Sequence, residues 1–174
     1  MPSTPNISEA TERTMKNSRT NVCRLLEASG IPCTEHHYDT ADGAIDAVSV
    51  ARKLGEAPEQ VFKTLVTVSD RHDHFVFAVP SADELDLKKA ARAVGRKSIE
   101  MLPLKQLLPL TGYVHGGCSP IGMKKKFPTV IDETALLFDH ICVSAGCVGC
   151  NIAVDPEALA AFVDAEFVDI VKDK

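Results

Sequence analysis

Lys63 sits within an otherwise apolar run, QVFKTLV at 60–66, and a lone amine there is the first candidate for chemistry. An ammonium on a pocket floor can hold a phosphate or polarise a carbonyl. Dry surroundings lower its pKa, and an anionic partner keeps it charged. The same lysine on a partly exposed strand would lay its stem on apolar neighbours and keep its head in water. The run alone does not separate these readings. A second candidate is the loop TGYVHGGCSPIG at 111–122, with Gly112, Gly116, Gly117 and Gly122. Paired glycines let backbone amides approach a ligand, as oxyanion donors do in acyl transfer, although a tight turn uses the same residues. Neither a P-loop GxxxxGKS/T nor a dinucleotide GxGxxG pattern occurs.

Cys147 and Cys150 form a C-x-x-C pair. A structural zinc site needs four ligands, so Cys118, Cys142, His115 or His140 would have to complete it. A thioredoxin-like motif opens a helix after a strand, whereas the strand-like NIAV (151–154) follows here. The third reading is small apolar residues at buried positions. Cys118 and His115 have the residue types of a nucleophilic pair, but a spacing of three in a glycine loop does not establish contact. His36 and His37, beside Tyr38, lack the spacing of a helical ligand pair and read as surface or pocket-rim residues. No metal and no cofactor are expected.

The elements that position these groups follow from periodicity and punctuation. Residues 20–29 have helical spacing and stop at Gly30. Residues 31–38 look extended, and a helix over 44–54 stops at Gly55. VFKTLVTVS (61–69) and HFVFAVP (74–80) read as paired strands around DRHD. In the first, Lys63 shares a face with Val61, Leu65 and Thr67. A helix over 83–95, a strand at 97–102 and a helical turn at 103–110 come next. Further strands follow at 129–133, 140–145 and 151–154. Asp155 and Pro156 open a helix over 156–163, and FVDIV closes the chain as a strand. Mixed strands and helices, with strand pairs close in sequence, imply an α+β fold: a mixed or largely antiparallel sheet with flanking helices.

Composition sets the limits. The 174 residues fit one domain, and at 45% hydrophobic and 25% charged they can form a sizeable core. With no Trp, that core must be mainly aliphatic. Residues 1–17 read as a flexible tail and 18–174 as the single domain. The net charge of −5 argues against broad wrapping of nucleic acid, and no DNA partner is expected. The run Lys124, Lys125, Lys126 could still meet a few phosphates. No apolar stretch is long enough for a membrane span, and the N-terminus lacks a signal-peptide core. Six cysteines without such a signal suggest reduced thiols and a cytoplasmic location.

The segments QVFKTLV, LDLKKAARAVGRKSIEM, TGYVHGGCSPIGMKKKFPTVID and VSAG, in this order, resemble the YbaK family of aminoacyl-tRNA deacylases. The resemblance covers nearly all of the chain beyond the tail, and the combination is specific where any one piece is not. It is strongest to the type that hydrolyses cysteinyl-tRNA(Pro), which is similar to the editing domain of some prolyl-tRNA synthetases. It implies a mixed, barrel-like sheet with surrounding helices and a cleft for the tRNA 3′ end. It implies that Lys63 is the active-site lysine. Tyr38, Thr64, Ser119, Pro120 and Asn151 would be substrate-binding positions, and the Gly116 and Gly117 amides would be oxyanion donors. Lys124, Lys125 and Lys126 would contact tRNA, and prolyl-tRNA synthetase is the implied partner. In such enzymes the substrate's own thiol closes on its ester carbonyl, so no catalytic triad is needed.

The chain departs from the pattern after VSAG. The family continues with a basic pair and then an Asp, where this chain has Cys147, Val148 and Asn151. Asn hydrogen-bonds but cannot act as a base. Two alternatives therefore accompany the deacylase: a non-catalytic module that binds the aminoacyl-tRNA end, and a deacylase for another small amino acid, alanine or serine.

Overall fold

Polar side chains start four of the five α-helices in the computed structural model, which describes residues 19–174. Thr20 caps α1 (Asn21–Ala28), Asp46 caps α2 (Ala47–Leu54), Asp86 caps α3 (Leu87–Ala93) and Asp155 caps α5 (Pro156–Val163), each accepting from an amide of the first turn. Such caps satisfy amides that the helix leaves orphaned. The short α4 (Leu107–Thr111) has no such cap. The helix expected over 83–95 begins only at Leu87, because Asp86 caps it and Leu85 is bridged to Val171. The tail expected over 1–17 lies outside the described residues.

The strands are β1 (Cys33–His37), β2 (Phe62–Ser69), β3 (His74–Pro80), β4 (Ile99–Met101), β5 (Thr129–Asp132), β6 (Ile141–Cys147), β7 (Cys150–Val154) and β8 (Glu166–Val168). They form a three-stranded sheet in the order β1-β7-β6 and a five-stranded sheet in the order β4-β2-β3-β5-β8. The first is antiparallel throughout. In the second, β2 pairs antiparallel with β3 and β4, while β3–β5 and β5–β8 are parallel. The α+β class is as expected, but the sheet is not closed into a barrel. Two separate sheets meet at the single parallel bridge between Val61 and Cys142.

Two apolar layers hold this arrangement. Val22 and Leu26 of α1, with Leu159 of α5, pack against Ile141, Val143 and Ile152 of the smaller sheet and Phe62 and Ile131 of the larger. On the other side, Ala90 and Ala91 of α3 cover Phe75, Phe77 and Val130. Burying a side chain such as Phe77 stabilises by roughly 1.5–3 kcal/mol. Asp132 is fully buried at the end of β5. Its carboxylate accepts from Ile170 N at 3.1 Å, Thr134 N at 3.3 Å and Thr134 Oγ1 at 2.6 Å, fastening the C-terminal segment to the sheet.

Candidate active site

The site begins with an unpaired stretch of strand edge. On the side away from β3, β2 is bridged to Cys142 at Val61 and paired with β4 from Thr67 to Ser69. Among the described residues no strand covers it between Phe62 and Leu65, Val66 O being taken by Leu102 N at 3.0 Å, and a cavity of about 730 Å³ opens there. That size suits a small-molecule site. Lys63, Thr64, Leu65 and Val66 all line it, because an open edge exposes residues of both strand faces.

Lys63 is half-buried in the wall, and its Nζ donates to the Ser81 carbonyl at 3.2 Å. Burial lowers its pKa from the ordinary lysine value, opposed by the charges of Glu84 and then Asp83. Ser81 is a rigid acceptor. Its N–H donates to Val61 O at 2.8 Å, and its hydroxyl donates to Pro58 O at 2.6 Å. Glu84 lines the cavity too, with its carboxylate paired to Lys172 at 2.8 Å.

Opposite stands the smaller sheet. Asn151 on β7 is 5% exposed and lies across from Ser144 of β6, and both line the cavity. Asn151 Oδ1 is buried without a hydrogen-bond partner, and so is Thr64 Oγ1. Among the described residues these are the two such side-chain atoms; Thr64 sits beside Lys63 on β2, and Asn151 faces them from the smaller sheet across the same cavity. A buried polar atom without a partner costs about 1–3 kcal/mol. Both sit around one cavity.

Tyr38 completes that side, held by its N–H donating to Gly149 O at 3.0 Å. From the glycine loop, His115, Gly116 and Cys118 reach the cavity. Gly116 has φ +85° and rests against Ile45 and Val148. Gly117 does not line the cavity, and its N–H donates to Val114 O at 3.0 Å. That amide is committed within the loop, so of the paired glycines only Gly116 stands where a donor could act. Ser119 is fully buried behind the loop, its hydroxyl accepting from Ile121 N. Pro120, Lys125 and Lys126 border a separate groove of about 200 Å³. Lys126 pairs with Asp164 at 3.1 Å, and Lys124 Nζ donates to Pro109 O at 3.4 Å.

Thiol chemistry in the cavity finds no support. Burial pushes the Cys118 thiol up to about 12, so it is not a ready nucleophile. On the sheet face turned away from the cavity, burial pushes Cys150 up to about 12, unlike a redox-active C-x-x-C. Ser81, Glu84 and Ser144 escaped sequence reasoning. The register of the β2–β3 hairpin, which sets Lys63 opposite Val79, could have pointed to Ser81 just beyond the strand end.

Comparison with known proteins identifies the family. Residues 42–162 match the aminoacyl-tRNA editing domain family. The chain is 44% identical, over 87% of its length and 93% of the relative's, to EbsC of Enterococcus faecalis, provisionally named a Cys-tRNA(Pro)/Cys-tRNA(Cys) deacylase. A crystal structure provisionally described as a trans-editing enzyme for prolyl-tRNA synthetase superposes with a TM-score of 0.77 at 25% identity. It covers 90% of this chain and 100% of that one. A hypothetical protein 18% identical, with a TM-score of 0.79 over 87% of this chain and 99% of its own, shares the fold.

Proposed function

The chain belongs to the aminoacyl-tRNA editing domain family, and from that premise we propose that it is a trans-editing aminoacyl-tRNA deacylase whose leading substrate is cysteine mischarged on tRNA(Pro). The observation that carries the site assignment is the grouping of Lys63 Nζ, Thr64 Oγ1 and Asn151 Oδ1 around one cavity, two of them buried without partners.

The 3′-terminal aminoacyl-adenosine enters this cavity. Lys63 holds the terminal phosphate or ribose, and a partly desolvated ammonium binds such a group more strongly than one in bulk water. Thr64 and Asn151 take the remaining polar groups of the aminoacyl end. The substrate thiol sulfur bonds to the ester carbonyl carbon, and the bond from that carbon to the tRNA 3′-oxygen breaks. The thiol proton passes to the leaving oxygen, and a cyclic thiolactone departs. The Gly116 amide is the candidate donor for the oxyanion that forms on the way. Holding thiol and ester together removes much of the entropic barrier, which suits a cavity with no activated nucleophile of its own. The exposed lysines 124–126 supply the acceptor-stem contacts, and prolyl-tRNA synthetase is the expected partner. The likeness to a structure described as its trans-editing enzyme supports that partnership.

Asn151, at a position where the family carries a carboxylate, favours a second reading in which the end of aminoacyl-tRNA is bound and not cleaved. The deciding experiment is a deacylation assay with cysteinyl-tRNA(Pro) for the wild type and Lys63→Ala, run beside alanyl- and seryl-tRNA. Wild-type hydrolysis above background, lost in the variant, is expected. Hydrolysis no faster than the uncatalysed rate on all three esters overturns deacylation in favour of binding. Equal rates on cysteinyl and seryl esters overturn the thiolactone route.

A further inference from the structure

The face of the smaller sheet turned away from the cavity carries a different constellation. On β1, Cys33, Glu35 and His37 alternate onto one face. Antiparallel partners share a face, so Cys150, paired with His37, lies beside them. On β6 the regular register after the Ser144–Asn151 pair would set Ala145 against Cys150. A bulge at Ala145–Gly146, with Gly146 at φ +97°, brings Cys147 there instead. Bulges re-aim side chains in this way. The result is a C-x-x-C across a tight glycine-containing hairpin turn, with Cys147 and Cys150 directly opposite each other in the pairing.

Donor atoms of Glu35, His37 and Cys150 all lie within 4.8 Å of one another. Tetrahedral coordination with bonds of about 2.0–2.3 Å needs donors roughly 3.5 Å apart, a spacing that small side-chain rotations reach. Glu35 is also held from behind. Its Oε1 accepts from Thr20 N and Thr20 Oγ1, both at 2.8 Å, and its Oε2 faces His37 Nε2 at 3.7 Å. Such outer hydrogen bonds orient a ligating carboxylate. Glu35 is 12% exposed and His37 58%, so an ion has an entry path from solvent.

We propose that Glu35, His37, Cys147 and Cys150 form a structural site for zinc or a similarly thiophilic divalent cation. The mutually close donors are Glu35, His37 and Cys150; Cys147 stands outside the 4.8 Å set and must swing in from its place opposite Cys150, while Cys142 and His140 group instead with Glu56. The partners come from β1, and the histidine is one read from sequence as a surface or rim residue. Binding releases the thiol protons of Cys147 and Cys150 to solvent, and two thiolates with one carboxylate outweigh the ion's charge by one. The ion ties β1 to the turn at Val148–Gly149. That turn packs on Gly117 and supports Tyr38 through Gly149 O. The site is therefore a staple behind the cavity wall, and it stands whether or not the deacylase reading does.

The full chain, expressed without a polyhistidine tag and purified without chelator, is assayed for zinc by plasma mass spectrometry. The expectation is about one zinc per chain, lost in Cys147→Ser and His37→Ala and kept in Cys142→Ser. A chelator should lower the wild-type melting temperature by several degrees, with recovery on adding zinc, and leave Cys147→Ser unmoved. Cobalt(II) should give a thiolate charge-transfer band in the wild type and not in Cys147→Ser. Cys147 is exposed, so its variant tests the site even if His37→Ala fails to fold. Metal-free protein that takes up no added zinc overturns the proposal, as does zinc retained by a Cys147→Ser, Cys150→Ser double variant. A Cys147–Cys150 disulfide in freshly purified protein overturns it too.

Discussion

Lys63 Nζ and the Ser81 carbonyl are 3.2 Å apart and hydrogen-bonded. The carbonyl belongs to a residue fixed at both its N–H and its side chain, so the amine is held at one point of the cavity wall. A neutral acceptor orients the ammonium without discharging it, which leaves its charge for a ligand. Lys63→Ala should therefore lower kcat/KM for cysteinyl-tRNA(Pro) by about 100-fold or more while the fold persists. Unchanged turnover in a folded variant would remove Lys63 from the site.

The same lysine costs stability. Burial lowers its pKa from the ordinary value of 10.5. Between the folded value and 10.5 the unfolded chain binds more protons than the folded one, so stability rises with pH across that window. Below it the destabilisation is fully present. Lys63→Met should raise the melting temperature at pH 7 while losing activity. The gain should shrink as pH climbs toward 10.5. A melting temperature that falls on substitution would show that the amine stabilises the free protein.

Much of the site was legible because it lies on strongly patterned elements. QVFKTLV reads as a strand by its branched residues, and the glycine loop by its composition. The helix cap at Asp155 announces itself, whereas the one at Asp46 falls inside the helix expected over 44–54. What stayed hidden depends on register and on partners far apart in sequence. Ser81 and Glu84 enter the cavity because of where β3 ends. The parallel pairing of β3 with β5 joins segments separated by about fifty residues, and the division of the expected mixed, barrel-like sheet into two follows from such distant pairings. His37 and Cys150 meet through strand pairing that no spacing rule exposes, and a bulge sets Cys147 beside them.

Thr64 and Asn151 yield a prediction with opposite signs for stability and binding. Each carries a buried acceptor with no partner in the free protein. Removing an orphaned polar group for an apolar one of similar shape is neutral or stabilising. Thr64→Val and Asn151→Leu should leave the melting temperature level or higher, yet weaken substrate binding so that KM rises about tenfold. Loss of stability in Thr64→Val would mean that its hydroxyl is satisfied in solution. Asn151→Asp restores the family's carboxylate, and a gain in rate on it would show that the amide limits the wild type.

Gly117 is held to glycine by contact and not by conformation. A Cβ there would lie 3.0 Å from Val148 N and 3.1 Å from the Cys147 backbone, whereas at Gly116 the obstacle is the mobile tip of Ile45. A side-chain tip can swing away, but a hairpin backbone paired into a sheet cannot. Gly117→Ala must push the glycine loop and the β6–β7 turn apart. The expected cost is about 2 kcal/mol, or roughly 6 °C in melting temperature. Because the loop carries His115 and Gly116 into the cavity, turnover should fall even well below that temperature. Differential scanning calorimetry with a parallel deacylation assay measures both effects. An unshifted melting temperature would mean that the loop and the turn do not touch in solution, and the positioning assigned to Gly116 would fall with that contact.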